Sequence, residues 1–270
     1  MATLPITFLS DYGYDDEFAG VCRAVIARIA PEAMVTDLTH GIRRHAVAEG
    51  AGVLAKALPY TAPGVHLAVV DPGVGSERRG VAVRVRDEDR LLVGPDNGLL
   101  APAIAKLGGA LAVADVSLSA FRLEPVSATF HGRDLFAPVA AHLALGETLE
   151  DAGEAIDPGS LAAPESSPPR IEDGSVIAHV VSVDRYGNAA LDLEHARLPE
   201  TGLRLGRHVR VVAGETTLDA LYSLTFSDVA AGQLILYEDS YRSLALAVNR
   251  GSAAELLDLA PGVEVALRPA

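Results

Sequence analysis

The sequence contains little cysteine and no long apolar segment, and both shortages narrow its possible functions. Cysteine occurs once in 270 residues, at Cys22, which excludes an intrachain disulfide and any metal or iron–sulfur site built from several cysteines. No run of about 18 apolar residues is present, so we expect no membrane-spanning helix. The first residues, MATLPITFLSDYG, lack the basic start of a signal peptide. We therefore expect a cytoplasmic protein that does not bind membranes.

Basic residues are also scarce. Lysine and arginine total 22 against 36 aspartates and glutamates, which gives a net charge of −14. A nucleic-acid-binding surface requires clustered lysine and arginine, and the chain has no basic run. We therefore do not expect nucleic acid as a partner. The length suits one large domain or two modest ones, and needs no disulfide to complete a core.

Strand and helix patterns alternate over the first 160 residues. The apolar runs at 4–9 and 65–70 predict strands buried on both faces. Apolar residues at helical spacing over 17–29 and 46–58 predict helices between them. Such alternation is typical of a layered α/β domain with a mainly parallel sheet, which we assign to residues 1–162.

The pattern changes at a proline- and serine-rich stretch, LAAPESSPP, which predicts a linker at about 161–169. Short strand-like runs separated by turns follow it, the clearest at 176–183, 203–212, 233–237, 244–248 and 263–267. This spacing predicts a second domain over 170–270, folded as a small β-barrel or, alternatively, a sandwich.

Polar clusters follow three apolar segments of the first domain, and the ends of strands are where open α/β sheets bind ligands. The first cluster, SDYGYDD, contains Asp11, Asp15 and Asp16. Asp11 ends the predicted strand, where a carboxylate can accept hydrogen bonds from both hydroxyls of a ribose. Asp15 and Asp16 precede the predicted helix, so helix capping is the alternative for them.

The second cluster is DPGVGSERR at residues 71–79. A proline and two glycines constrain the turn and hold Asp71 rigidly, and Arg78, seven residues later, can fold back to pair with it. The alternative is a surface turn with a solvated basic pair. The segment lacks the GK[ST] sequence of a phosphate-binding loop.

The third cluster, TFHGRD, places His131 before Gly132. Histidine can transfer protons near neutral pH, although a lone histidine is also commonly structural. An oxygen-rich metal site at the three clusters was a further alternative, but no HExxH or paired-histidine spacing supports it. We therefore predict no metal.

Six segments occur in the order SDYG…DD, VVDPGVGSERR, GPDNG, TFHGRD, DRYGN and AVNRGSAAE. Together they resemble the S-adenosylmethionine (SAM) hydroxide adenosyltransferases, SAM hydrolases related to the bacterial fluorinase and chlorinase. The resemblance runs from about residue 5 to residue 265. It implies an N-terminal α/β domain joined to a C-terminal β-barrel, and a homotrimer with substrate sites at the subunit interfaces.

The resemblance also implies a reaction, in which water or hydroxide attacks the ribose C5′ of SAM and methionine leaves, giving adenosine. SAM is then the substrate, and the resemblance implies no cofactor. The sulfonium is already a good leaving group, so the protein must mainly supply an oriented nucleophile. Asp71 would orient or deprotonate the water, Arg78 would hold Asp71, and His131 would complete the pocket.

The implied substrate contacts are spread over both domains. They are Asp11 for the ribose hydroxyls, Asp16 for the methionine amino group, Gly132 beside the nucleophile, Tyr186 and Phe226 as aromatic walls, Asn188 for adenine or ribose, Ser240 for the methionine carboxylate, and the backbone of Arg250 for the adenine edge. His45 stands where the fluorinase has a tryptophan, so the aromatic wall is not assigned there.

Two other functions remain as alternatives. A SAM-dependent halogenase, using chloride rather than fluoride, would form a halogenated nucleoside. The fluorinase has serine at the position of Gly132 and lacks the Asp71–Arg78 pair, and a carboxylate beside the nucleophile site repels halide. A non-catalytic SAM or adenosine sensor would bind SAM and leave it intact, and it would not need Asp71, Arg78 and His131. A methyltransferase is disfavoured, because no GxGxG-like loop follows the first strand.

Overall fold

The computed structural model describes residues 3–163, 168–172 and 174–270. The chain forms two compact units, Met1–Glu165 and Ser166–Ala270. The linker predicted at about 161–169 falls in part on residues 164–167, which lie outside the described residues. No helix in the described ranges is long and apolar enough to cross a membrane.

The first unit contains strands and helices in alternation. In chain order they are β1 (Ile6–Ser10), α1 (Phe18–Ile29), β2 (Val35–Thr39), α2 (Val47–Ala57), β3 (Val65–Val69), β4 (Gly80–Val85), β5 (Leu91–Pro95), α3 (Ala101–Lys106), β6 (Ala110–Asp115), α4 (Ala137–Ala144), α5 (Leu149–Ala152) and β7 (Glu154–Ile156). The sheet order is β2-β1-β3-β5-β4-β6-β7. Strands β2, β1, β3 and β5 are parallel neighbours, while β4 is antiparallel to both β5 and β6. The predicted mainly parallel sheet is confirmed.

Helices cover both faces of this sheet. Phe8 of β1 belongs to a core shared with α1 and α4, whereas its neighbour Leu9 belongs to a core shared with α2 and α3. Successive strand residues point to opposite faces, so a strand that is apolar throughout serves both layers. The layered α/β architecture is therefore confirmed.

The register of β1 and β3 places the polar clusters of the sequence. The two strands are parallel, and Ser10 pairs with Val69. Asp11 and Asp71 follow the carboxyl ends of these neighbouring strands, so the sheet carries both to the same edge.

The second unit is mostly strand. Its elements are β8 (Arg170–Glu172), β9 (Ser175–Val183), β10 (Ala189–Glu194), β11 (His208–Ala213), β12 (Thr216–Tyr222), β13 (Leu234–Glu238), β14 (Ser243–Val248), α6 (Ala253–Leu257) and β15 (Glu264–Pro269). The sheet order is β10-β14-β13-β12-β11-β15-β9-β8, and a further pairing of β10 with β9 closes seven of these strands into a ring. The predicted barrel is confirmed, and the sandwich alternative is wrong.

Some element boundaries differ from the sequence expectation. The strand predicted at 203–212 begins only at His208, because Gly206 (φ +77°) turns the chain before it. Helix α4 is preceded by a π-helical turn at Gly132–Phe136. β6 was not predicted, because its sequence ALAVAD contains few of the branched and aromatic residues that favour strands.

Candidate active site

Three side chains of the first unit form a connected polar cluster. Arg78 donates through Nε to Asp71 Oδ1 at 2.8 Å and through a terminal guanidinium nitrogen to Asp71 Oδ2. The same terminal nitrogen lies 3.0 Å from His131 Nδ1. The predicted fold-back of Arg78 onto Asp71 is therefore present, and His131 joins the pair from a segment more than 50 residues away. The surface-turn alternative for Arg78 is wrong.

The DPGVG turn positions Asp71. The Val74 N–H donates to the Asp71 carbonyl at 3.2 Å, and the Ser76 N–H donates to the Gly73 carbonyl at 3.1 Å. Gly75 has a φ of +79°, and a Cβ there would lie 2.6 Å from the Ala128 carbonyl oxygen. The glycine thus lets the turn pack directly against the segment that leads to His131.

The ion pair is mostly buried. The side chains of Asp71 and Arg78 are 6% and 10% exposed, and the Arg78 guanidinium lies 5.1 Å from the centre of the Phe136 ring. Two parallel hydrogen bonds between a guanidinium and a carboxylate fix both groups in one geometry. Asp71 therefore presents a rigid carboxylate at the edge of the sheet.

His131 is neutral near pH 7. Burial, and then the Arg78 charge, lower its pKa below the ordinary 6.5, against the opposing effects of Asp71 and Asp134. Arginine only donates hydrogen bonds, so the contact makes Nδ1 the acceptor. This geometry assigns the ring proton to Nε2, which is left as a donor.

Asp134 holds the segment around His131 in place. It is 2% exposed, accepts two hydrogen bonds from the Arg133 guanidinium, and accepts another from the Ser127 N–H at 2.8 Å. Arg133 also lies 5.0 Å from the centre of the Phe130 ring. Arg133 and Asp134 therefore fix the backbone of TFHGRD.

Asp11 lies at the same edge of the sheet, and one of its carboxylate oxygens accepts a hydrogen bond from the protein backbone. Its Oδ2 accepts a hydrogen bond from the His45 N–H at 3.0 Å, and His45 has a left-handed backbone with φ +64°. The structure thus gives His45 a backbone role beside Asp11.

Asp15 and Asp16 are exposed, and the helix they precede has Glu17 as its N-cap without a side-chain capping bond. The capping interpretation of Asp15 and Asp16 is therefore wrong.

Tyr12 was not predicted as a site residue, yet its hydroxyl lies against Gly132. A Cβ at Gly132 would be 1.9 Å from the Tyr12 Oη. The sequence offered a weak signal for this contact, namely a histidine followed by a glycine with no turn to explain it. The partner could not be identified, because Tyr12 is 120 residues away.

In the second unit the DRYGN turn connects β9 and β10 as a hairpin. Asp184 Oδ1 accepts from the Tyr186 and Asn188 N–H groups at 2.8 and 3.0 Å, and Oδ2 accepts from Asn188 Nδ2 at 2.8 Å. Gly187 (φ +80°) packs against Ser252, and its carbonyl accepts from the Ala254 N–H at 3.0 Å. The turn thus lies beside the NRGSAA segment.

The other predicted contact residues of this unit differ in their surroundings. Tyr186 is 70% exposed, and Phe226 is 38% exposed with its ring 5.0 Å from that of Tyr237. Arg250 is exposed and has a left-handed backbone with φ +59°. Such a conformation is unusual for a residue with a side chain and is often found at functional sites.

The barrel places these residues at both ends of one hairpin. Asn188 and Arg250 lie at the end where β14 finishes, whereas Ser240 lies in the turn between β13 and β14. The six residues of β14 separate these ends by about 17 Å. The predicted contacts therefore do not form a single cluster within the second unit.

A metal centre has no support among the side chains of the described ranges. They contain no group of three or more histidine, cysteine, aspartate or glutamate residues arranged to hold an ion.

The protein belongs to a class that combines a layered α/β unit with a β-barrel unit. In this chain the α/β unit carries a rigid carboxylate–guanidinium–imidazole cluster at its strand ends, and the barrel has seven strands. Residues 6–153 match the family model described as the SAM hydroxide adenosyltransferase N-terminal domain, and residues 178–266 match the corresponding C-terminal domain. The chain belongs to the SAM hydroxide adenosyltransferase family, as the resemblance implied.

Individual relatives agree with this assignment. The chain is 46% identical over 263 residues to a Salinispora tropica protein named (R)-S-adenosyl-L-methionine hydrolase, with 97% of each chain covered. A Nocardia brasiliensis protein named fluorinase is 27% identical, covering 97% of this chain and 96% of the relative. The crystal structure of an uncharacterized conserved protein from Thermotoga maritima is 34% identical and has a TM-score of 0.91, with 97% of this chain and 99% of that chain covered.

Proposed function

We propose that this protein hydrolyses S-adenosyl-L-methionine to adenosine and L-methionine by attack of water at the ribose C5′. The observation that carries the proposal is the cluster of Asp71, Arg78 and His131, which holds a carboxylate rigidly beside an imidazole at the edge of the sheet. Membership of an enzyme family whose members include named SAM hydrolases supports it.

The reaction needs few protein groups. The water oxygen forms a bond to C5′ while the C5′–S bond breaks, and the bonding pair goes to sulfur, which leaves as the neutral thioether of methionine. The water loses one proton, which Asp71 accepts and passes to solvent. Because the sulfonium charge disappears as the bond breaks, the leaving group requires no acid, and the main task is to orient the water.

The three residues divide this task. Asp71 accepts a hydrogen bond from the water and directs its lone pair toward carbon. Arg78 holds Asp71 through two hydrogen bonds, so that the carboxylate does not rotate. Neutral His131 accepts from Arg78 through Nδ1, which leaves its Nε2–H free to donate toward the substrate.

The remaining predicted contacts are assigned to substrate binding. In the first unit, Asp11 binds the ribose hydroxyls and Asp16 the methionine amino group, with Gly132 beside the water. In the second unit, the roles are aromatic walls for Tyr186 and Phe226, adenine or ribose contact for Asn188, the methionine carboxylate for Ser240, and the adenine edge for the Arg250 backbone. The separation of Ser240 from Arg250 along β14 supports their assignment to opposite ends of a long substrate.

We propose further that the protein acts as a homotrimer with its substrate sites completed at subunit interfaces. The exposure of Tyr186 and Phe226, two aromatic side chains assigned to the substrate, supports this arrangement. The name of the Salinispora tropica relative carries the descriptor (R), and we propose that this chain likewise prefers the (R) epimer of SAM at sulfur.

The test incubates the purified protein with each sulfonium epimer of SAM, with and without chloride, and separates the products by chromatography and mass spectrometry. We expect adenosine and methionine in both buffers, faster from the (R) epimer, and no product from Asp71→Ala. The matched control is Asp96→Ala, because Asp96 forms the neighbouring ion pair with Arg79 and is equally buried. A chlorinated nucleoside that appears only with chloride would establish the halogenase instead, and bound but unchanged SAM would establish the sensor.

A further inference from the structure

Tyr12 is held by aromatic neighbours that fix the direction of its hydroxyl. Its ring centre lies 6.4 Å from that of Phe8, 5.9 Å from that of Phe18 and 5.8 Å from that of Phe130, with edge or tilted contacts. Aromatic rings packed in this way have little freedom to rotate. The phenol oxygen therefore occupies a defined position.

That position is beside the backbone of Gly132. A Cβ at residue 132 would be 1.9 Å from the phenol oxygen, 3.0 Å from Cζ and 3.3 Å from Cε2. No side chain fits at residue 132 while Tyr12 has its hydroxyl. Gly132 directly follows His131, so the hydroxyl lies beside the segment that carries the histidine of the cluster, and the charges of Asp71 and Arg78 act on it.

The charges around Tyr12 agree with this location. Burial holds the pKa of Tyr12 well above 10.0, and Cys22, Asp11 and Asp71 raise it further while Arg78 lowers it. Tyr12 is therefore a neutral phenol, which can both accept and donate a hydrogen bond. The Tyr12 side chain packs against the core of the first unit as a partly buried residue, so the phenol is held in place while its hydroxyl can bond a ligand.

We propose that the Tyr12 hydroxyl binds the attacking water and is a catalytic group of the hydrolysis, an inference that rests on the function proposed above. The water donates one O–H to Asp71 and the other to the phenol oxygen, so that its lone pair faces C5′. The proton released on attack goes to Asp71, and Tyr12 neither gains nor loses one. Gly132 has the supporting role of leaving room for the phenol.

The first variant, Tyr12→Phe, removes only the hydroxyl. We expect kcat to fall about tenfold, since one hydrogen bond to the reacting atom is lost, while KM and the melting temperature stay close to the wild type. Tyr222→Phe is the matched control, because Tyr222 is another buried tyrosine but lies in the barrel core; it should keep its activity. An unchanged kcat in Tyr12→Phe overturns the proposal, as does a loss that appears only through KM and melting temperature.

A second comparison tests the geometry without using activity. Gly132→Ala places a methyl group against the phenol oxygen and should lower the melting temperature strongly. In the Tyr12→Phe background the closest atom recedes from 1.9 Å to the ring carbon at 3.0 Å, so the same substitution should cost much less. Equal losses in both backgrounds would overturn the proposed position of the hydroxyl.

The two proposals fail in different ways. A wild-type protein that leaves SAM intact overturns the hydrolase function and the catalytic role of Tyr12 together. A wild-type protein that makes adenosine, with Tyr12→Phe equally fast, overturns the role of Tyr12 alone.

Discussion

Two arginine–histidine pairs lie in the first unit, and they differ in what surrounds them. Arg78 contacts His131 Nδ1 at 3.0 Å, and Arg90 contacts His66 Nε2 at 3.2 Å. His131 is only partly buried, whereas His66 is fully buried and Arg90 is 2% exposed. The chemistry of the contact is the same, so the difference between a site and a structural element lies in access.

The Arg90 pair is a closed pair, in the sense that its hydrogen-bonding groups have partners within the protein. Arg90 donates to the Thr61 hydroxyl and carbonyl, to the Ala62 carbonyl and to Glu88, while His66 Nδ1 bonds the Thr7 hydroxyl. All three guanidinium nitrogens of Arg90 and both ring nitrogens of His66 are thus hydrogen-bonded within the protein. The pair therefore ties β1, β3 and the start of β5 together at the end of the sheet opposite to Asp71.

The Arg78 pair, in contrast, keeps unused hydrogen-bonding capacity. A carboxylate has about four acceptor positions, of which Arg78 occupies two on Asp71. His131 also keeps its Nε2–H, because Arg78 uses only Nδ1. A functional cluster is therefore recognised by the hydrogen-bond donors and acceptors that its internal contacts leave unused. Four predictions test this difference between the two pairs.

Removing Arg90 should have the largest effect, and that effect should be on stability. Arg90→Met leaves the Thr61 and Ala62 carbonyls and His66 without their donor, and buried groups that lose a charged partner cost about 3 kcal/mol or more in total. We expect this loss in the free energy of unfolding, measured by denaturant titration. The kcat of the folded fraction should stay at the wild-type value, and a large drop at unchanged stability would remove the distinction between the pairs.

Arg78→Lys should have the opposite profile. Lysine cannot make two parallel hydrogen bonds to one carboxylate, so Asp71 loses its fixed orientation. We expect a loss of about 100-fold in kcat, equivalent to about 2.7 kcal/mol, measured as adenosine formation. Arg90→Lys is the matched control and should keep kcat. If Arg78→Lys lowered only stability, Arg78 would be a structural residue like Arg90.

The sequence identified one of these two pairs and not the other. The proline and glycines of DPGVGSERR predicted a constrained turn at Asp71, and the seven-residue spacing made a pair with Arg78 one of two interpretations, the other being a surface turn. Arg90 carried no such signal, since an arginine before a strand is typical of a solvated surface. Its burial depends on Thr61, His66 and Glu88 meeting at one end of the sheet, and a linear pattern does not show such a meeting.

The candidate active site was also only partly predictable from the sequence. His131 was joined to Asp71 and Arg78 only through the family resemblance, because no local pattern links residues 53 positions apart. Tyr12 was missed, although it belongs to the SDYG segment, because its importance depends on the space left by Gly132. Local turns and buried strands were readable from residue type and spacing, whereas contacts between distant segments were not.

The buried pair should also respond to acid. Burial and then the Arg90 charge lower the pKa of His66 from 6.5 to about 3. Between these values the unfolded chain binds a proton that the folded chain does not, so stability is complete above pH 6.5 and falls as the pH falls. The loss from this group is about 1.4 kcal/mol per pH unit, or about 2 kcal/mol at pH 5. The fall in the free energy of unfolding from pH 7 to pH 5 should be about 2 kcal/mol smaller in His66→Gln than in the wild type. An equal fall in both proteins would show that His66 does not titrate this way.

The smallest expected effect concerns His131, whose pKa is also lowered but whose surroundings are open. Burial and Arg78 keep the ring neutral below its usual range, so kcat/KM should change less than about twofold between pH 7.5 and 6.5 and decline only at lower pH. Protonation would place a cation against Arg78 and remove the Nδ1 acceptor, so the decline should be weaker in His131→Gln, which does not titrate. A midpoint at or above 6.5 in the wild type would mean that Arg78 does not contact a neutral ring. In that case the open pair would differ from the closed pair in protonation as well as in access.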